Sequence, residues 1–237
     1  MSRSIKDVKT FLFAHQIQMI DFKMIDLDGR WHHLTIPAGN FNEETLKFGI
    51  GFDGSNYGYA PVECSDMVFI PDTDSLVLDP FAEVPTAVMM GDVQVIGKKN
   101  MPFNQYPRNV IKSAADYLRS SGVADEMIIG PEFEFYLFDS VSYQTDPNHI
   151  SYTVDTRQAS WNTVAPSNGY QIPSKAGYHA DIPRDITSDL RSRMCLQLND
   201  WAVPVKYHHH EVGGSGQVEI EVELGEICRM ADATMIV

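Results

Sequence analysis

Two short acidic segments hold side chains able to gather a divalent cation. They are Gly130-Pro131-Glu132-Phe133-Glu134-Phe135 and His208-His209-His210-Glu211-Val212-Gly213-Gly214-Ser215-Gly216-Gln217-Val218-Glu219. In extended backbone Glu132 and Glu134 leave the same face, about 6–7 Å apart. Phe133, Phe135 and Tyr136 make the rest of that strand apolar, and burying two like charges there is costly unless cations neutralise them. Carboxylate oxygens are the ligands that Mg²⁺ and Mn²⁺ prefer. Taken alone, the segment reads equally well as an exposed strand with two solvated glutamates.

The second segment shifts that balance. A hairpin through Gly213-Gly214-Ser215-Gly216 would bring Glu211 and Glu219 near each other on one sheet surface. With Glu132 and Glu134, four carboxylates then converge, and neither segment contains Lys or Arg. A sheet of acids needs metal ions or protons to hold it. Three carboxylates per ion, completed by water and substrate, suit Mg²⁺ or Mn²⁺ clamping phosphate oxygens in phosphoryl transfer. The three adjacent histidines point alternately on a strand and so cannot all reach one ion. One or two of them are expected as buried, hydrogen-bonded supports of the glutamate site. Glu221 and Glu223 share the Glu219 face by period two and read as solvated or edge charges.

The elements that must position these residues follow from periodicity and turn chemistry. Ile5, Val8, Phe11 and Leu12 mark a helix over residues 4–15. Residues 18–26 and 30–36 read as strands around the Asp28-Gly29 turn. Asn42 caps a short helix over 43–48. With four glycines, residues 49–59 read as a loop. Strands are expected over 67–70, 75–78 and 86–95, and a short linker over 98–102. Pro107 opens a helix to about Ser120. The Glu132/Glu134 strand follows, then a loop-rich stretch over about 140–180. A helix over 185–201, strands over 203–212 and 217–224, and an apolar segment at 231–237 that begins another helix complete the order.

The 237 residues, 43% hydrophobic and 11% aromatic, are globular in composition and long enough for one large or two smaller domains. Acidic residues outnumber basic ones 32 to 18, a formal charge of −14. That balance argues against nucleic acid or an anionic membrane surface as partner and suits a cytoplasmic protein that concentrates cations. The three cysteines, Cys64, Cys195 and Cys228, form no C-x-x-C pair and read as reduced packing residues. No apolar run approaches the ~20 residues of a membrane span, and Phe11–Ala14 is too short for a secretory core.

Gly130–Asp139 and His208–Glu221 closely resemble the two metal-binding segments of type I glutamine synthetases. Phe52-Asp53-Gly54-Ser55 with Ser65-Asp66-Met67 resembles the family's N-terminal active-site loop. Lys175-Ala176-Gly177-Tyr178 resembles its lysine-glycine-tyrosine segment, and Met230-Ala231-Asp232-Ala233 resembles the start of the next helix. The resemblance implies an α+β chain. A β-grasp-like domain over 1–100 is followed by an incomplete catalytic domain, an antiparallel sheet with helices, over 101–237. It implies that Glu134, Glu211 and Glu219 hold one metal ion, Mg²⁺ or Mn²⁺, and that Glu132 is one ligand of a second that bridges the phosphates of ATP. Asp53 would take the proton of ammonium and Tyr178 would line the ammonium pocket. The implied reaction phosphorylates L-glutamate with ATP to γ-glutamyl phosphate, which ammonia converts to glutamine. In the family the Asp53 loop serves a neighbouring subunit, so a homo-oligomer, a dodecamer of two stacked hexamers, is expected. Asn56 departs from the serine common in the ammonium loop. Lys206 stands where an acid often precedes the histidines, which bears on nucleotide contacts. The phosphate-binding arginines and the remaining ligands of the second ion fall outside these residues, so the 237-residue chain alone is expected to lack activity. Two alternatives stand beside this reading: a γ-glutamyl-amine or polyamine ligase with the same motifs, and a catalytically silent relative kept for assembly.

Overall fold

The computed structural model describes residues 3–163 and 170–237. They fall into two compact units, Met1–Met127 and Ile128–Val237, and the whole is α+β.

In the first unit, α1 (Ile5–Ala14) starts at a capping box in which Ser4 and Asp7 satisfy each other's backbone N–H groups. Val8 and Leu12 on its inner face are buried. β1 (Met19–Ile25) and β2 (Trp31–Pro37) form the expected hairpin. Its turn is held by Asp26 Oδ1, which accepts the N–H groups of Asp28 and Arg30, both at 2.9 Å. Asn42 caps α2 (Glu43–Phe48) as its residue type predicts. β3 (Ile50–Asp53), β4 (Asp66–Pro71), β5 (Val77–Leu78), β6 (Thr86–Val95), β7 (Met101–Pro102) and α3 (Pro107–Ser121) follow. The sheet runs β2-β1-β6-β4-β3, with β5 and β7 also on β6, and β1 and β6 are parallel. Phe22, Phe69, Met89 and Tyr106 lie at the centre of its core.

Two expectations change here. The glycine-rich stretch is not all loop, because Ile50–Asp53 pairs with β4 and a 3-10 turn spans Gly54–Tyr57. Ile50 and Phe52 pack against the core, and that burial outweighs the glycine content. Gly49 has φ +75°, and a Cβ there would lie 2.4 Å from the Phe69 carbonyl oxygen. The glycine thus serves a close approach to β4. The segment read as a linker also contributes structure, since Met101 and Pro102 pair with Val95 and Gln94. The helix after it is anchored to the same unit: Asn109 Nδ2 donates to the Val93 and Phe103 carbonyls at 2.7 and 2.9 Å.

The second unit contains β8 (Ile128–Ile129), β9 (Glu132–Tyr136), β10 (Ser140–Asp146), β11 (His149–Asp155), α4 (Ser188–Asp200), β12 (Val205–His210), β13 (Gln217–Val222), β14 (Gly225–Glu226) and α5 (Ile227–Ile236). An antiparallel sheet runs β12-β13-β9, and β14 pairs with β8. One sheet face, with Phe133, Phe135, Ile220 and Val222, packs with Cys195 and Leu198 of α4 and Met230 and Ala233 of α5. The stretch read as loop-rich contains a seven-residue hairpin ladder, β10–β11. Nearly all of its side chains are exposed, so neither of its faces shows the buried alternation from which strands are read. Asp185 lies before α4 rather than in it. There it pairs with buried Arg191, whose Nη1 donates to its Oδ1 at 3.1 Å.

Candidate metal centre on the acidic sheet face

Strand alternation divides β9, β13 and β12 into an apolar face and an acidic one. Antiparallel register sets Glu134 opposite Glu219 and Glu219 opposite His209. The neighbouring row sets Glu132 opposite Glu221 and Glu221 opposite Tyr207. Directly opposite side chains have Cβ atoms about 4.5–5.5 Å apart, and like charges so placed destabilise a sheet. Two such glutamate pairs on one face therefore weaken the fold unless counter-charge is present.

The hairpin reading of Glu211 and Glu219 is realised. Glu211 N–H donates to the Gln217 carbonyl at 2.9 Å where β12 runs into the turn. Glu211 and Glu219 are both buried, while Glu132 and Glu134 are exposed. Their carboxylates meet at His209, whose Nδ1 lies 3.6 Å from Glu211 Oε1 and whose Nε2 lies 3.5 Å from Glu219 Oε2. One donor atom each of His209, Glu211 and Glu219 falls within 4.8 Å of the others. Glu132, Glu219 and Glu221 form a second such group. Glu134 faces Glu219 across the ladder, and its Oε2 accepts from Gln217 Nε2 at 3.1 Å. Burial raises the pKa of Glu219. Glu211, Glu132 and Glu134 push it further up, and His209 partly opposes them. One histidine and several carboxylates gathered on one sheet face are a donor set that fits Mg²⁺ or Mn²⁺.

The histidine triplet alternates as strand geometry requires, and each ring has its own surroundings. His209 joins the acidic face. His208 turns to α4, where Arg191 Nε donates to its Nδ1 at 3.1 Å, and burial lowers its pKa. His210 is fully buried, with Nδ1 2.9 Å from the Glu211 carbonyl oxygen and 3.1 Å from that of Gly177. Burial lowers its pKa as well, and those carbonyls oppose the shift. Glu221 is neither solvated nor free, because Lys206 Nζ donates to its Oε1 at 2.7 Å. The residues that sequence reasoning missed as participants are therefore His209 and Glu221. Both carried a readable signal, since the period of two puts each on the Glu219 face once the hairpin register is known.

Tyr178 is largely exposed. Its ring stacks on His179 at 4.0 Å and meets His209 edge-on at 5.3 Å, which puts it beside the acidic face. Asp53 belongs to the other unit, at the end of β3. It caps the following 3-10 turn, and Oδ1 accepts from Ser55 N–H and Oγ at 2.9 and 2.7 Å. Asn56 Nδ2 donates to Oδ2 at 3.2 Å. The Ser55 and Ser65 hydroxyls lower its pKa, with the Ser55 N–H adding to the shift.

A mixed sheet with a parallel β1–β6 pair in the first unit, and an antiparallel sheet with carboxylates gathered on one face in the second, make this an α+β chain of two compact units. Residues 16–95 match the glutamine synthetase β-grasp domain and residues 104–237 match the glutamine synthetase catalytic domain. The chain belongs to the glutamine synthetase family. It is 38% identical over 230 residues to a glutamine synthetase of Aquifex aeolicus, covering 96% of this chain and 48% of that protein. It is also 34% identical over 241 residues to a 3-hydroxylaminophenol mutase of Cupriavidus pinatubonensis, covering 100% of this chain and 51% of that protein. Among solved structures, a cryo-EM structure of Plasmodium falciparum glutamine synthetase superposes with a TM-score of 0.86 at 23% identity. It covers 100% of this chain and 47% of that one, a likeness of fold. The chain spans about half the length of the curated relatives it matches. Among the described residues no helix is long and apolar enough to cross a membrane.

Proposed function

We propose that this chain forms the β-grasp-like part, residues 1–100, and the opening part of the catalytic domain, from residue 101, of a cytoplasmic ATP-dependent glutamate–ammonia ligase. The observation that carries the reading is the pair of glutamate rows, Glu134–Glu219 and Glu132–Glu221, set like against like on one sheet face beside buried Glu211. In this reading Glu134, Glu211 and Glu219, with His209 beside them, hold one Mg²⁺ or Mn²⁺, and Glu132 begins a second site. The bound ions would offset phosphate charge and draw the phosphate oxygens of ATP toward the glutamate side chain. The chain's own residues set the rest. The carboxylates fix where positive charge can sit. Asp53, held ionised by its hydroxyl and amide donors, attracts ammonium and takes its proton in the homo-oligomer, and Tyr178 lines that cation's pocket.

The mutase relative favours a second reading, in which the same scaffold serves a hydroxylaminophenol rearrangement, and the shared sequence motifs keep γ-glutamyl-amine ligation beside it. The test is to supply the full-length gene product with ATP and L-glutamate and offer ammonium, methylamine or a polyamine. ADP release and glutamine formation with ammonium alone support the synthetase. A γ-glutamylamide of an amine, or turnover of a hydroxylaminophenol without ATP, overturns it. The 237-residue chain alone is expected to form no glutamine, because no arginine cluster to meet a γ-phosphate is recognised among its described residues; glutamine formed by this chain would overturn that expectation.

A further inference from the structure

Gln158 lies three residues after β11, has no exposed surface, and belongs to none of the motifs that mark the site. Its side-chain amide holds three separate pieces of chain. Oε1 accepts the Gly216 N–H at 2.9 Å and lies 3.0 Å from His210 Nε2. Nε2 donates to the Arg184 carbonyl at 3.1 Å. The backbone adds to this, because the Gln158 carbonyl accepts the Ile172 N–H at 2.9 Å. Ser215 Oγ, buried beside it, donates to the Ile172 carbonyl at 3.0 Å.

The two groups on Oε1 belong to the two arms of the hairpin that carries the candidate ligands. His210 precedes Glu211, and Gly216 opens the arm that leads to Glu219. One oxygen thus ties both arms at a point where the ladder gives way to the Gly213–Gly216 turn. Gly216 has φ +86°, and a Cβ on it would lie 2.5 Å from the Leu137 carbonyl oxygen. Gly177, whose carbonyl faces His210, would bring a Cβ within 2.5 Å of the Glu211 carbonyl oxygen. The turn therefore cannot be stiffened by side chains of its own at these close approaches, and a buried amide does that work instead. The hydrogen-bond partners of the Gln158 side chain are Arg184, His210 and Gly216, not the Glu211 or Glu219 carboxylates. The side chain acts through the backbone and ring that precede each one.

We infer that Gln158 is a positioning residue that sets the separation of Glu211 and Glu219 and so tunes the cation affinity of the acidic face. The inference rests on the metal reading of that face. Orienting partners behind metal ligands typically change affinity by about 10–100-fold.

The test uses the intact 237-residue chain and Mn²⁺ alone, with free ion followed by electron paramagnetic resonance well below the melting transition of every variant. Gln158→Met keeps the volume and removes all three polar contacts of the side chain. It should weaken Mn²⁺ binding by about tenfold or more. Gln158→Glu keeps an acceptor oxygen for the Gly216 N–H, and should recover most of that loss. Leu198→Ala, in the core behind the sheet, should lower the melting temperature while leaving Mn²⁺ affinity unchanged. Wild-type affinity in Gln158→Met, or an equal loss in Leu198→Ala, would overturn the positioning role while leaving the metal reading intact. No Mn²⁺ binding by the wild-type chain would instead overturn the metal reading and the inference with it.

Discussion

Lys206 is the residue at which this acidic face is most particular. Its ammonium lies 2.7 Å from Glu221, and Lys206 and Tyr207 lower the pKa of that carboxyl. Glu221 also belongs to a potential ligand group with Glu132 and Glu219. One side chain cannot serve a lysine and a divalent ion equally, so Lys206 competes with any cation drawn to the Glu132 row. Replacing it by methionine removes the competitor, and with it the ammonium that lies 4.8 Å from the Tyr207 ring centroid, while keeping an unbranched apolar stem. Lys206→Met should bind its weaker Mn²⁺ equivalent roughly fivefold more tightly than wild type at low ionic strength. The difference should shrink as salt screens the pair. Competitive titration against Mg²⁺ at two salt concentrations would check both the gain and its screening. An unchanged second equivalent would mean that Glu221 is not available to a cation at all.

At the scale of elements, backbone geometry and one buried ion pair make separate demands. Gly49→Ala places a methyl group against the Phe69 carbonyl at a residue with φ +75°. It should destabilise the first unit by about 1–3 kcal/mol, read as a lower urea midpoint with an unchanged slope. In the second unit, burial raises the pKa of Asp185, but hydrogen bonds from Arg191 and Thr187 outweigh it and hold the carboxyl below 3.8. A depressed carboxyl adds stability that is fully present above the unfolded value and is lost as pH falls through the folded one. Asp185→Asn should therefore be less stable than wild type at neutral pH by about 3–5 kcal/mol, the usual cost of leaving a buried charge without its partner. That gap should hold down to about the ordinary carboxylate range and close below it, as wild type loses its own charge. Denaturant melts of both proteins from neutral pH into acid would check the sign. The same elements show how far sequence reasoning reaches. The cap at Asn42, the Asp28-Gly29 turn and the period-two glutamates were legible because each signal is local. The β10–β11 ladder escaped because its side chains are exposed on both faces, and β3 because its glycines outvoted Ile50 and Phe52. Gln158 had no local signal, since its three contacts come from residues 26 to 58 positions away.

At the scale of the whole molecule, charge is unevenly useful. The formal charge of −14 repels generally, but the directly opposed glutamates of β9 and β13 concentrate repulsion in the unit Ile128–Val237. A cation bound there would relieve it and add stability only where the ligands are. Linkage gives about 2.7 kcal/mol at an ion concentration one hundred times the dissociation constant. The first unit holds no comparable group of ligand atoms among its described residues, so it should gain nothing by this route. Hydrogen exchange of the 237-residue chain with and without Mn²⁺ separates the two cases. Slower exchange should appear in β9, β12, β13 and the turn at Gly216, with β1, β4 and β6 unaffected. Because ladder amides open together with their unit, the protection should extend through the sheet rather than stop at the glutamates. Equal slowing in both units would point to general screening of the net charge, and Na⁺ at matched ionic strength would then reproduce it. Protection specific to Mn²⁺ and confined to the second unit is the outcome that the opposed glutamate rows require.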